Sequence, residues 1–125
     1  MNTAIVMMGS NSQPKENLAL AKEKINERYE ITIASSVLVT TPRGAKYKDM
    51  FHNQALVVLS DEDLANTIMF FKHLEKELGR TPESKNQGIV CIDIDVIFWN
   101  DRQIRGDYDN FDFVKTCVNE IYDME

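Results

Sequence analysis

Hydrophobic positions along the chain switch between a strand-like and a helical period, and each switch marks an element. Residues 4–8, Ala-Ile-Val-Met-Met, form a continuous apolar run that predicts a buried strand. Gly9-Ser10-Asn11-Ser12-Gln13-Pro14 breaks it: Gly9 relaxes the backbone for a tight exit, and Pro14 suits a first helical turn. Leu18, Ala21 and Ile25 then recur on one helical face, and the helix is expected to end near Arg28. Residues 30–40 are rich in β-branched side chains and predict a second strand, closed by Thr41-Pro42-Arg43-Gly44. A charged loop follows, and Phe51-His52-Asn53-Gln54 leads into a third strand over residues 55–59. Ser60 and Asp63 give the capping signal of a second helix. Its stripe is Leu64, Ile68, Phe71, Leu74 and Leu78, and Gly79 stands at its C-terminal cap. Glu75 is the exception, a carboxylate on or beside that apolar stripe; an edge residue reaching for water and a functional group both remain open.

A breaker-rich loop over residues 81–88 precedes the run from Ile89 to Trp99, which predicts a fourth strand. Asn100-Asp101 is a turn signal, Gln103-Ile104-Arg105 suits a short returning strand, and residues 112–123 read as a helix. The order β-α-β-β-α-β with a C-terminal helix predicts an α+β fold of the ferredoxin-like type: an antiparallel sheet, helices on one face, and an added C-terminal helix. With no linker-like stretch, residues 1–125 are expected to form a single domain.

Within the fourth strand the alternation carries chemistry. Asp93 and Asp95 point to one side while Ile92, Ile94, Val96 and Phe98 are expected on the other, and the carboxylate face continues into Ile97 and Trp99. Two carboxylates about 6.5 to 7 Å apart along a strand suit one or two Mg²⁺ ions with phosphate oxygens between them. A polar face is also what any half-solvated sheet shows. Ile97 and Trp99 are not residues of a freely solvated face, however, and two partly covered carboxylates repel unless a cation neutralises them.

Composition narrows the partners. The 125 residues carry 14 basic and 20 acidic side chains, a formal charge of −6. That balance argues against a nucleic-acid or membrane-surface partner, both of which need a basic footprint. The first residues lack the basic start of a signal peptide, and no run approaches the length of a membrane span. Two cysteines, Cys91 and Cys117, fit neither a CxxC motif nor a disulfide framework, so a cytoplasmic location is expected. His52 and His73 lack ligand-spaced partners, and Gly9-Ser10-Asn11 lacks the frame of a P-loop, which leaves Asn11 a bracing role between loops.

Taken in order, Gly9-Ser10-Asn11, Thr41-Pro42, Phe51-x-Asn53, Glu75 with Leu78-Gly79-Arg80, and residues 92–98 resemble the 6-hydroxymethyl-7,8-dihydropterin pyrophosphokinase family of the folate pathway. The resemblance runs collinearly from residue 3 to about 121, and its joint spacing is more specific than any one motif. It implies transfer of a pyrophosphoryl group from ATP to the hydroxymethyl dihydropterin, with release of AMP. It further implies that Asp93 and Asp95 hold two Mg²⁺ ions, and that Arg80 clamps phosphate as a catalytic group. Asn53, with the backbone around Thr41 and Pro42, would bind the pterin edge, and Phe51 and Phe113 would stack on its faces. Glu75, Arg80 and Tyr108 fall at nucleotide-side positions. The partners implied are therefore two small molecules, with oligomeric state left open.

The chain also departs from the family pattern. A basic residue three places before the first metal-binding aspartate is Val90 here, an aromatic lid residue is Gln87, and Pro82 and Glu83 stand in a loop that tends to be basic. A Pro-His-Tyr segment appears as Gly106-Asp107-Tyr108, an Arg-Gly-Phe as Phe111-Asp112-Phe113, and the 125 residues stop soon after Glu120-Ile121, short of the family's usual C-terminal extension. Lys46, Lys48 and Lys85 are candidates to compensate by position. Two alternatives stay open: an impaired relative that binds metal, nucleotide or pterin without turnover, and a ferredoxin-like interaction module without pterin chemistry.

Overall fold

The computed structural model describes residues 1–42 and 47–124, so the expected roles of Arg43, Gly44 and Lys46 lie outside the described residues. The chain order is β1 (Asn2–Ser10), α1 (Pro14–Arg28), β2 (Glu30–Ala34), β3 (Leu38–Thr40), β4 (Phe51–Ser60) and α2 (Leu64–Glu77). Then follow α3 (Pro82–Asn86), β5 (Asp93–Trp99), β6 (Arg102–Gln103), α4 (Asp107–Asn110) and α5 (Asp112–Met124). The strands form one sheet in the order β2-β4-β1-β5-β6, with β3 also paired to β4, and every described pairing is antiparallel. This is the expected ferredoxin-like α+β arrangement, with β1 at its centre.

Two apolar layers sandwich the sheet. On one side Val6, Met8, Leu56, Val58, Ile94 and Val96 pack with Leu18, Ala21 and Ile25 of α1 and Phe71 and Leu74 of α2. On the other, Ile5, Met7, Ala55, Val57 and Ile97 pack with Val114, Cys117, Val118 and Ile121 of α5. The C-terminal helix therefore covers the face opposite α1 and α2, the face that carries the aspartates. Its apolar residues fall at positions 114, 117, 118 and 121, one helical stripe.

Several local expectations change. The long second strand divides into β2 and β3, because Ser35 and Ser36 redirect the backbone. Ser35 Oγ accepts from the Ala55 amide at 2.9 Å, and Ser36 donates through N and Oγ to Glu120 of α5. The expected lead-in at residues 51–54 belongs to β4 itself. Asp63 alone caps α2, accepting from the Asn66 amide at 2.8 Å, while Ser60 Oγ pairs with Thr67 Oγ1 at 2.8 Å. Within the expected loop, Thr81 and Ser84 form a reciprocal capping box that starts α3, with Pro82 in its first turn. Gly9 is no turn residue; it lies inside β1, between Asn53 and Asp93. Gly79, with φ of 116°, does take the left-handed exit expected after α2.

A bulge corrects the face assignment in β5. Val6 pairs with Val96 but Ile5 pairs with Phe98, so Ile97 is an extra residue on β5. The alternation slips there: Phe98 joins the α5 side with Ile97, and Trp99 joins the α1 and α2 side. The expectation that Phe98 sits with Ile94, and Trp99 with the aspartates, is thereby reversed. The turn to β6 has Asn100 at φ 49° and Asp101 at φ 68°, the paired left-handed geometry that a tight hairpin requires.

Candidate functional site

Directly opposed residues on antiparallel strands share a face, and the register lays two short rows across the sheet. One row is Asn53, Gly9, Asp93; the next is Ala55, Met7, Asp95. Gly9 leaves a hollow in the first row, where a Cβ would approach Asn53 Oδ1 to 3.4 Å. Asn53 is buried and held in place by its Nδ2, which donates to the Leu38 carbonyl at 2.9 Å and Thr40 Oγ1 at 3.0 Å. A cavity of about 380 Å³ opens above these rows.

The cavity lining combines two chemistries. Tyr47, Phe51, Phe111 and Phe113 give it aromatic walls; Arg80, Asp93, Asp95, Arg105 and Asp107 make the rest of the lining strongly ionic. Tyr47 and Phe51 meet edge to face at 5.5 Å between ring centres, as do Phe98 and Tyr108 at 5.4 Å behind it. A second cavity of about 150 Å³ lies between α2 and the β5 edge, lined by Ile68, Phe71, Lys72, Ile94, Val96 and Ile104. Asp95 and Arg105 line both.

The ionic cluster is built on an exposed strand edge. At Phe98 and Trp99 β5 pairs with the two-residue β6, but at Ile94 its outer edge has no strand neighbour among the described residues. Side chains of α2 cover it. Glu75 Oε2 accepts from the Ile94 amide at 2.7 Å, and Lys72 Nζ donates to the Ile94 carbonyl at 2.9 Å. The Glu75 side chain is only 4 % exposed, so it faces the sheet and does not reach for water. A carboxylate on the apolar stripe is thus the cap of an edge strand.

Around that cap the charges interlock. Lys72 Nζ also donates to Glu75 Oε2 at 2.9 Å and Asp95 Oδ1 at 3.0 Å. Arg80 Nη1 donates to Asp93 Oδ1 at 2.9 Å and lies 3.5 Å from Glu75 Oε1. Arg105 reaches Asp95 Oδ1 at 3.4 Å and donates from Nε to Asp107 Oδ1 at 2.9 Å. One carboxylate oxygen from each of Glu75, Asp93 and Asp95 lies within 4.8 Å of the others, a spacing that a divalent cation can span. Asp95 is 15 % exposed and Asp93 42 %. Burial raises the Asp95 carboxyl above its ordinary range and the neighbouring Asp93 charge adds to this, with Lys72 and Arg105 opposing. Burial works against the Lys72 charge, but Asp95 and Glu75 outweigh it and hold the ammonium above its usual range.

The structure brings Asp93, Asp95, Arg80, Thr41, Phe51, Asn53 and Phe113 together around the first cavity, with Glu75 beneath it. Pro42 adjoins Thr41 without lining it. Tyr108 lines neither cavity: its hydroxyl donates to Asn119 Oδ1 at 2.8 Å and its ring lies under Lys115. Lys48 and Lys85 are exposed and line neither cavity, whereas Val90 does line the first. Asn11 braces the approach to β5: its side chain donates to the Gly88 carbonyl at 2.8 Å and accepts from the Val90 amide at 2.6 Å. Sequence reasoning missed Lys72, Arg105, Tyr47 and Phe111. Lys72 carried a usable signal, since it precedes the stripe's one carboxylate by a helical turn; Arg105 carried none, because a hairpin brings it back to Asp95.

A ferredoxin-like sheet with paired carboxylates beside an aromatic-walled cavity defines the class: a small α+β protein whose central cavity sets a charged cluster beside aromatic side chains. The chain matches the family profile of 7,8-dihydro-6-hydroxymethylpterin-pyrophosphokinase over residues 5–123, and it belongs to that family. It is also similar to the folic acid synthesis protein FOL1 of Dictyostelium discoideum, at 28 % identity over 107 residues. That match takes in 85 % of this chain and 16 % of the relative's length. Among the described residues no helix is long and apolar enough to cross a membrane.

Proposed function

We propose that the protein transfers a pyrophosphoryl group from ATP to the hydroxymethyl oxygen of 6-hydroxymethyl-7,8-dihydropterin, releasing AMP, as a step of folate biosynthesis. The observation that carries this reading is the pair of cavities that share Asp95 and Arg105: one suits a stacked heterocycle, the other a nucleotide base, and the ionic cluster stands between them. Phe51 and Phe113 sandwich the pterin and Asn53 reads its edge, supported from behind by Leu38 and Thr40. The apolar lining of the second cavity takes the base, and the triphosphate runs over β5 toward Arg80 and Arg105.

The donor set fits Mg²⁺, a hard cation that takes oxygen ligands, with Asp93 and Asp95 as the residues that hold it. When bound, the metal neutralises phosphate charge and lets the phosphoryl oxygens approach a carboxylate-lined wall. The chain's own groups do the rest. Arg80 and Arg105 attract and align the phosphates, and the aromatic walls exclude water from the acceptor. The pterin hydroxymethyl oxygen then forms a bond to the β-phosphorus, the bond from that phosphorus to the α-phosphate oxygen breaks, and the hydroxyl proton leaves on the phosphate of the departing AMP.

Incubation with Mg²⁺, ATP and the hydroxymethyl dihydropterin should yield AMP and the pterin pyrophosphate in equal amounts by chromatography. Asp93→Asn and Asp95→Asn should each abolish it while the fold persists; absence of AMP from the unaltered protein overturns the reading. A second reading, binding without turnover, is favoured by Val90, which adds no cation to the phosphate path. Calorimetry with the pterin and a methylene analogue of ATP then shows binding where the AMP assay is blank.

A further inference from the structure

The carboxylate cluster already contains a cation. The ammonium of Lys72 has three N–H donors, and the structure gives it three oxygens: Glu75 Oε2 at 2.9 Å, Asp95 Oδ1 at 3.0 Å and the Ile94 carbonyl at 2.9 Å. Helical spacing fixes it there, one turn before Glu75. Glu75 in turn is committed, because the same Oε2 takes the Ile94 amide at 2.7 Å and cannot move to a metal without uncovering the strand edge. Asp95 Oδ1 is shared between Lys72 and Arg105, and Asp93 Oδ1 is held by Arg80. The hydrogen bonds and ion pairs named for both aspartates thus fall on Oδ1, so a metal would draw on Oδ2 of each.

We propose that Lys72 permanently fills one of the cation positions of this cluster, so that the site takes a single divalent ion per bound nucleotide, bridging Asp93 and Asp95. The inference rests on the proposed nucleotide-dependent function and departs from the two ions that the family resemblance implies. Physically, the ammonium is one charge carried on the protein in place of a second ion recruited from solution. A metal ligated by Asp95 Oδ1 would have to stand against the ammonium that the same oxygen already binds, and on Glu75 Oε2 is held by the Ile94 amide while Oε1 lies 3.5 Å from the Arg80 cation.

The test counts Mn²⁺, a spectroscopic substitute for Mg²⁺, on the 125-residue protein with α,β-methylene ATP and the pterin, protein being in excess of nucleotide. Equilibrium dialysis should give one ion per ternary complex, and electron paramagnetic resonance the six-line spectrum of an isolated ion. Lys72→Gln should raise the count to two and broaden the spectrum through exchange coupling, while Lys72→Arg, which keeps the charge, should leave it at one. Two ions on the unaltered protein, or a coupled spectrum, overturns the proposal but leaves the pyrophosphokinase reading standing. A count that stays at one in a folded Lys72→Gln protein also overturns it. No metal or nucleotide bound at all overturns both readings. The spectrum of the unaltered protein decides the question even if Lys72→Gln does not fold.

Discussion

Glu75 is the residue at which physical expectation and observed position meet most informatively. It stands out in the sequence because a carboxylate on a helix's apolar stripe needs a reason. That reason lies in another element: the unpaired Ile94 amide at the edge of β5, 2.7 Å from Oε2. Nothing in the residues around position 75 encodes that contact, so the exception was legible and its partner was not. Removing the acceptor leaves a buried N–H unsatisfied and strands Lys72, a loss of about 2 to 3 kcal/mol. Glu75→Ala should therefore lower the unfolding free energy measured in urea by that amount, with an unchanged slope. Glu75→Gln, which keeps an oxygen for Ile94, should lose less than half as much. Equal losses in the two variants would mean that charge, and not the edge cap, is what Glu75 contributes.

At the scale of elements, β1 and β5 show what pattern reading can and cannot reach. The aspartate pair followed from alternation alone and lies on one face as expected. The bulge at Ile97 left no trace in the pattern, because a run of Ile, Phe and Trp is apolar in either register; only the pairing with Ile5 and Val6 reveals the slip. Gly9 was noticed as a breaker, yet its job is to leave space in the row from Asn53 to Asp93. A valine there suits a strand and fills the hollow, so Gly9→Val should change stability by less than about 1 kcal/mol. Pterin affinity should nevertheless fall by at least about tenfold, the scale of a steric mismatch of one or two methyl groups in a fitted pocket. Calorimetry beside a thermal melt separates the two effects, and retained affinity would remove Gly9 from the cavity floor. In the β5–β6 hairpin, exposed Asp101 holds φ of 68°. Glycine adopts that region freely, so Asp101→Gly should raise stability by about 0.5 kcal/mol, the gain expected where left-handed strain is relieved. A loss in urea unfolding would show that the aspartate side chain, not its backbone, matters there.

For the molecule as a whole, the decisive feature is that α5 closes the face opposite α1 and α2. That residues 112–123 form a helix was legible in the sequence, but the face it would choose was not, since both sides of β1 and β4 are apolar. With α5 in place, Phe113 and Val114 become a wall of the cavity, so the docking of one helix and the shape of the site are the same event. Cys117 reports on that docking. It is buried beneath α5, and burial pushes its thiol above the ordinary range, the Ser35 contact opposing and the Glu120 charge adding. The thiolate is the reactive form, so at pH 8 Cys117 holds less of it than a free cysteine, and reagent must also wait for α5 to lift. Partly exposed Cys91 has no such cover. Ellman's reagent should consequently label one thiol quickly and the second only slowly, and both at once in denaturant. Adding pterin, which on the proposed reading rests against Phe113, should slow the second phase further by stabilising the docked helix, with Cys91 serving as the internal control. Two equal fast phases in the folded protein would mean that α5 is not held against the sheet, and the cavity would then lack the wall on which the pterin site depends.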